Sequence, residues 1–147
     1  MTSLLALFRS GTNGLPPARP VEFDGLTLPP SPNTCLVGPP EYTGPKHLTQ
    51  PAYAMPPELL WARLNRVAAG FPRTWKHGEW PARHQGAWVE RSVTMNYPDL
   101  IAAEVRPHPA GAALYLYSRS IFGWGDNGFN LARAQRWLAA LATETQH

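Results

Sequence analysis

The chain has 147 residues, with 13 Lys and Arg against 10 Asp and Glu, for a formal net charge of +3. That length supports one domain with a single core. The small, scattered charge disfavours nucleic acid as a partner, and the single cysteine, Cys35, excludes an internal disulfide and a multi-cysteine zinc site.

The apolar run at 4–8 is too short for a signal peptide core or a membrane span, and a lone thiol fits a reducing compartment. The expectation is a soluble cytoplasmic protein without a membrane span. Residues 1–57 hold 12 of the 17 prolines. Proline lacks the N–H and fixes φ, so long helices and central strands are excluded there. Residues 1–31 read as a proline-rich arm or linker, with a possible short hairpin about Asp24-Gly25. This arm lies over its own domain or over a partner. Residues 32–147 read as the domain proper.

A helix is predicted over 57–69. Proline at its start and Gly70 at its end follow the usual asymmetry, and Leu60, Leu64, Val67 and Phe71 form one stripe. A short strand at 73–77 is followed by a polar loop over 78–86. His77, His84 and Glu79 fall there, at a spacing that matches no metal motif, so no metal is assigned. Strands follow at 88–95, 100–105 and 112–118, joined by turns at 96–99 and 107–111, and strands so joined run antiparallel. The apolar pattern favours a register in which Val89, Val93 and Met95 share a face with Ile101, Ala103, Val105, Leu114 and Leu116. That register places Arg91 and Ser118 on the same covered face. A buried arginine there needs a carboxylate or several carbonyls, with Asp99 or Asp126 as the candidate carboxylate. A second helix spans 130–143, with Leu131, Ala134, Leu138 and Leu141 on one stripe and Asn130 as N-cap. The fold expected is α+β: an antiparallel sheet of four or more strands, covered on one face by two helices, with the extended arm.

Between the last strand and the last helix lies Tyr117-Ser118-Arg119-Ser120-Ile121-Phe122-Gly123-Trp124-Gly125-Asp126-Asn127-Gly128-Phe129-Asn130. A strand, a glycine loop and a helix N-terminus with about half a positive charge suit an anion. Arg119 and Arg133 would add to it. The candidate ligand- or partner-binding residues are therefore Arg91, Ser118, Arg119, Ser120, Gly123, Asp126, Gly128, Asn130 and Arg133. The alternative is that Asp126 merely caps the helix and the glycines merely allow a tight corner. The glycine spacing is neither the dinucleotide fingerprint nor a phosphate loop, so no cofactor is assigned.

Three pieces of the chain resemble the DUF1499 family of uncharacterised bacterial and plastid proteins. They are Pro32-Asn33-Thr34-Cys35-Leu36-Val37-Gly38-Pro39; Val89-Glu90-Arg91-Ser92 with Tyr97-Pro98-Asp99; and Tyr117-Ser118-Arg119-Ser120 with the Gly123 to Asn130 corner and Arg133. The resemblance covers about residues 32–141. Leu131 stands where the family often has arginine, and Thr34 separates Asn33 from Cys35. The family implies position rather than chemistry, since it carries no established activity, cofactor or substrate.

Three functions follow as expectations. The first is a non-catalytic binding or accessory module that holds a small anionic ligand or an unknown protein partner at the corner. The second is an assembly subunit docking through its arm. The third is a hydrolase-like enzyme. For that, Ser118 or Ser120 with Asp126 and a histidine can be drawn, or Cys35 with His47 or His84. No Gly-x-Ser-x-Gly elbow is present, so the reading leans against catalysis and assigns no catalytic residue.

Overall fold

Residues 7–122 and 128–145 are described in the computed structural model. Among them the strands are β1 (Thr34–Gly38), β2 (Leu48–Thr49), β3 (Thr74–Trp80), β4 (Gln85–Arg91), β5 (Pro98–His108) and β6 (Gly111–Ser120). The helices are α1 (Pro57–Gly70) and α2 (Phe129–Glu144). The architecture is α+β, with six strands in the order β2-β1-β6-β5-β4-β3. The expected all-antiparallel sheet is corrected to a mixed one, because β2 runs parallel to β1 at its edge. None of the helices described is long and apolar enough to cross a membrane.

The β5–β6 hairpin forms the centre of the sheet and turns between His108 and Gly111. Gly111 has φ +139°, and a Cβ there would lie 2.2 Å from the Tyr53 carbonyl oxygen. Tyr53 forms a backbone bridge with Ala112 at this point, so only glycine permits the approach.

Both faces of the sheet are covered. On one face, Cys35, Val37, Trp88, Ile101, Ala103, Val105, Leu114 and Leu116 pack under Leu60 and Leu64 of α1 and Trp137 and Leu141 of α2. On the other, Leu36, Ala102, Ala113, Tyr115 and Tyr117 pack with Tyr42 and with Phe23, which is fully buried. Residues 7–33 contribute no strand. Asp24-Gly25 is a tight turn closed by Leu26 N–H on the Phe23 carbonyl, without the flanking ladder a hairpin requires.

Several expected elements are displaced. β3 continues to Trp80 and β4 begins at Gln85, so the loop expected over 78–86 is a hairpin around a 3-10 turn at Pro81–Arg83. β4 ends at Arg91 instead of residue 95, and Val93 and Met95 are solvent-exposed. Within β4, Trp88 pairs with Ile101 and faces the helices, while Val89 pairs with Leu100 and faces away. The expected register is thus off by one in β4, and every side chain of that strand changes side. The physical reason is that both faces are buried. An apolar residue is then welcome on either side, and alternation does not mark which is which. Arg91 moves with its strand, so it lies on the face opposite Ser118. Asn130 is not the N-cap: Gly128, at φ +80°, takes that position and Asn130 is the second helical residue.

Candidate functional site

The buried stripe of α2 reads Asn130, Arg133, Ala134, Trp137, Leu141. Its apolar part meets the core. Its polar start meets the ends of three strands, where Glu90 pairs with Asp99 and Asp99 with Ser120. Residues directly opposite in a ladder point to the same side, so two carboxylates face α2 together. Arg133 answers both. Its Nε donates to Glu90 Oε2 at 2.6 Å and one terminal nitrogen donates to Asp99 Oδ2 at 2.8 Å. The other terminal nitrogen donates to Ser118 Oγ at 3.1 Å and Asn130 Oδ1 at 2.8 Å. Asn130 Oδ1 also accepts from the Ser118 hydroxyl at 2.5 Å, and Asn130 Nδ2 donates to Ser120 Oγ and to the Asn33 carbonyl. Arg136 adds a second cation on Glu90.

Burial raises the Asp99 carboxyl above its ordinary value, and Arg133 and the Ser120 hydroxyl offset this only in part. Burial also opposes the charge on Arg133, but Asp99 and Glu90 outweigh it and hold the guanidinium firmly protonated. Arg133 is therefore committed to the protein's own carboxylates. The network fastens α2 to the sheet, and an incoming anion would have to displace Glu90 or Asp99. Ser118 gives its proton to an amide oxygen, which is no general base.

Arg119 stands apart from this cluster. A strand alternates its faces, so Ser118 and Ser120 face α2 while Arg119, between them, faces the other way. Arg119 is exposed, 5.9 Å from the Tyr117 ring centroid, and no carboxylate lies within ion-pair distance among the described residues. The convergence of Arg119 with Arg133 expected from the sequence is thus corrected. Gly123 and Asp126 lie outside the described residues.

Arg91 is also on this second face. It is fully buried, and its Nε and one terminal nitrogen donate to the carbonyls of Gly11 (2.8 Å) and Asn13 (3.1 Å), the other to Asn96 (3.1 Å). Burial and the neighbouring Arg73 charge push its pKa down. Further along, Gln85 grips Val21 through both its N–H and its carbonyl, and Tyr42 Oη donates to the Phe23 carbonyl. Residues 14–20 bridge these two anchorages, with Pro16, Pro17 and Pro20 stiffening the span. Gly78 lets the span approach β3, since a Cβ there would lie 2.6 Å from that of Ala18.

Between this span and the sheet lies a cleft of about 600 Å³. Its floor is Ala87, Leu100, Ala102 and Tyr117, its walls include Pro16, Pro17, Pro20 and Pro29, and Arg119 borders it. Ala87 and Ala102 are cross-strand partners, and their small side chains leave the depth.

The histidines drawn as bases or ligands have other roles. His47 Nδ1 accepts from the Leu36 N–H, His77 Nε2 contacts the Pro16 carbonyl oxygen, and His84 stacks on Trp61. Among the described residues, no group of three or more His, Cys, Asp or Glu is placed to hold a metal ion. Sequence reasoning missed Glu90, Asn33 and Arg136 in the network; of the partners it left open for Arg91, the structure shows carbonyls, and Asp99 goes to Arg133 instead. The readable signal was Glu90 and Asp99 on consecutive strands, a juxtaposition that requires a cation.

A scan against protein-family models and a search of curated proteins found no match to this sequence.

Proposed function

We propose that the chain is a non-catalytic binding module whose ligand occupies the cleft beneath residues 14–20. The observation that carries this reading is the cleft itself. It is held open by an N-terminal arm tied down at both ends, floored by paired alanines and bordered by a guanidinium with no carboxylate partner among the described residues. A preformed, mainly apolar concavity with few polar groups is the usual form of a small-molecule site. The corner at the start of α2 supports the site by fixing β6, and so Arg119, through Ser118 and Ser120. Membership of the DUF1499 family and a cytoplasmic location belong to the same proposal, supported by the motif pieces above and by the lone thiol.

Titration of Nile red, an uncharged apolar dye, tests the cleft. Saturable binding by the native protein and its loss in Ala87→Trp, with Ala102→Leu as a milder filling variant, are the expected results. No saturable binding, or equal binding by native protein and folded variants, refutes the reading.

A second reading, an assembly subunit, is favoured by Phe8, Val93, Met95 and Phe129, which are all exposed. Sedimentation as a monomer at high concentration would count against it.

A further inference from the structure

The charged lining of the cleft is one-sided. Among the described residues, Arg19 and Arg119 border it and no Asp or Glu does. Arg9, Arg19 and Arg119 are the arginines whose guanidinium groups have no carboxylate or carbonyl acceptor among the described residues; two of these three line this cleft. Apart from Arg9, each guanidinium elsewhere is matched within the protein, as Arg106 is by Asp24 and Arg83 by Glu22. Cations unmatched among the described residues, beside a mainly apolar cavity, set up a field for an anion whose body is apolar. The planar guanidinium fork suits an oxyanion and presents paired N–H groups to a carboxylate. Arg119 is also fixed in place: its backbone pairs with Thr34 on one side and Leu100 on the other.

Resting on the reading of the cleft as a ligand site, we propose that it takes a small organic carboxylate with an apolar body, its carboxylate on Arg119 and its body over Ala87, Leu100 and Ala102. The volume suits a medium-length acyl chain or a compact ring system. Of the floor side chains only Tyr117 carries a polar group, which disfavours strongly hydroxylated ligands on desolvation grounds.

The test is displacement of Nile red by decanoate, decanol, decyl phosphate and decyltrimethylammonium, using native protein, Arg119→Gln and Arg19→Gln. In native protein, decanoate should compete about tenfold better than decanol, the worth of one charge-assisted hydrogen bond, and the ammonium compound should compete worst. Arg119→Gln should bring decanoate and decanol together while leaving decanol and Nile red unchanged. Equal competition by decanoate and decanol overturns the anion assignment, and a preference that survives Arg119→Gln but is lost in Arg19→Gln overturns the placement on Arg119, while Nile red binding keeps the cleft. Stronger competition by decyl phosphate than by decanoate overturns the carboxylate. Absence of Nile red binding sinks the cleft as well.

Discussion

Arg133→Met removes the cation that two buried carboxylates share. The methionine keeps most of the apolar stem, so the effect reports the charge. Arg133 is 8% exposed and Glu90 and Asp99 are each 13% exposed in their side chains, so solvent screens little. Removing one partner of such a buried pair costs about 3–5 kcal/mol. Arg136 still reaches Glu90 and the Ser120 hydroxyl still serves Asp99, which places the expected loss at the lower end, about 3 kcal/mol. For a chain of this size that is a fall of roughly 10 °C in Tm near neutral pH. Urea denaturation gives the free energy independently. The companion variant Glu90→Gln/Asp99→Asn/Arg133→Met removes the charges together and should recover at least about half of the loss. A single variant within about 1 kcal/mol of native, or a triple variant no better than the single, would show that the network does not fasten α2.

The same carboxylate yields a pH test. Because burial raises Asp99 above its ordinary 3.8, the folded state binds that proton more tightly than the unfolded chain. Its contribution favours folding below the ordinary value and fades as pH rises through the folded one. The stability of native protein relative to Asp99→Asn should therefore widen between about pH 7 and about pH 4.5, and a gap that narrows refutes the assignment. Phe23→Ala empties a fully buried site among Tyr42, Tyr115 and Tyr117 and should cost about 3–4 kcal/mol, with new protease cleavage before residue 32; unchanged proteolysis would mean the segment is not seated there. Gly111→Ala places a Cβ against the Tyr53 carbonyl at an unfavourable φ and should cost at least about 2 kcal/mol in chemical denaturation, whereas a neutral result would contradict the Tyr53–Ala112 bridge.

The sequence made some of this legible and hid the rest for identifiable reasons. Pro57, Gly70 and the Leu60–Leu64–Val67 stripe were enough to define α1, because capping and periodicity are local properties. Strands β5 and β6 were readable from their lengths and turns. The face of β4 was not, since Trp88 and Val89 are both apolar and the layer of residues 11–28 over the second face has no periodicity of its own. Arg133 resembled an anion-binding residue because its carboxylates stand 43 and 34 positions away, and only the strand register joins them. The separation of Arg119 from Ser118 and Ser120 was within reach, because neighbours on a strand cannot point to the same side.

The distances along the chain between the N-terminal segment and its seats have a kinetic consequence. Arg91 holds Gly11 across 80 positions, Gln85 holds Val21 across 64, and Arg106 holds Asp24 across 82. During synthesis Phe23 emerges well before Tyr115 and Tyr117, which receive it together with Tyr42. The growing polypeptide must therefore carry an incompletely covered aromatic ring until β6 is made, and closure of these long loops predicts slow acquisition of the native state. Ribosome-bound intermediates lacking β6 would be natural clients for a chaperone.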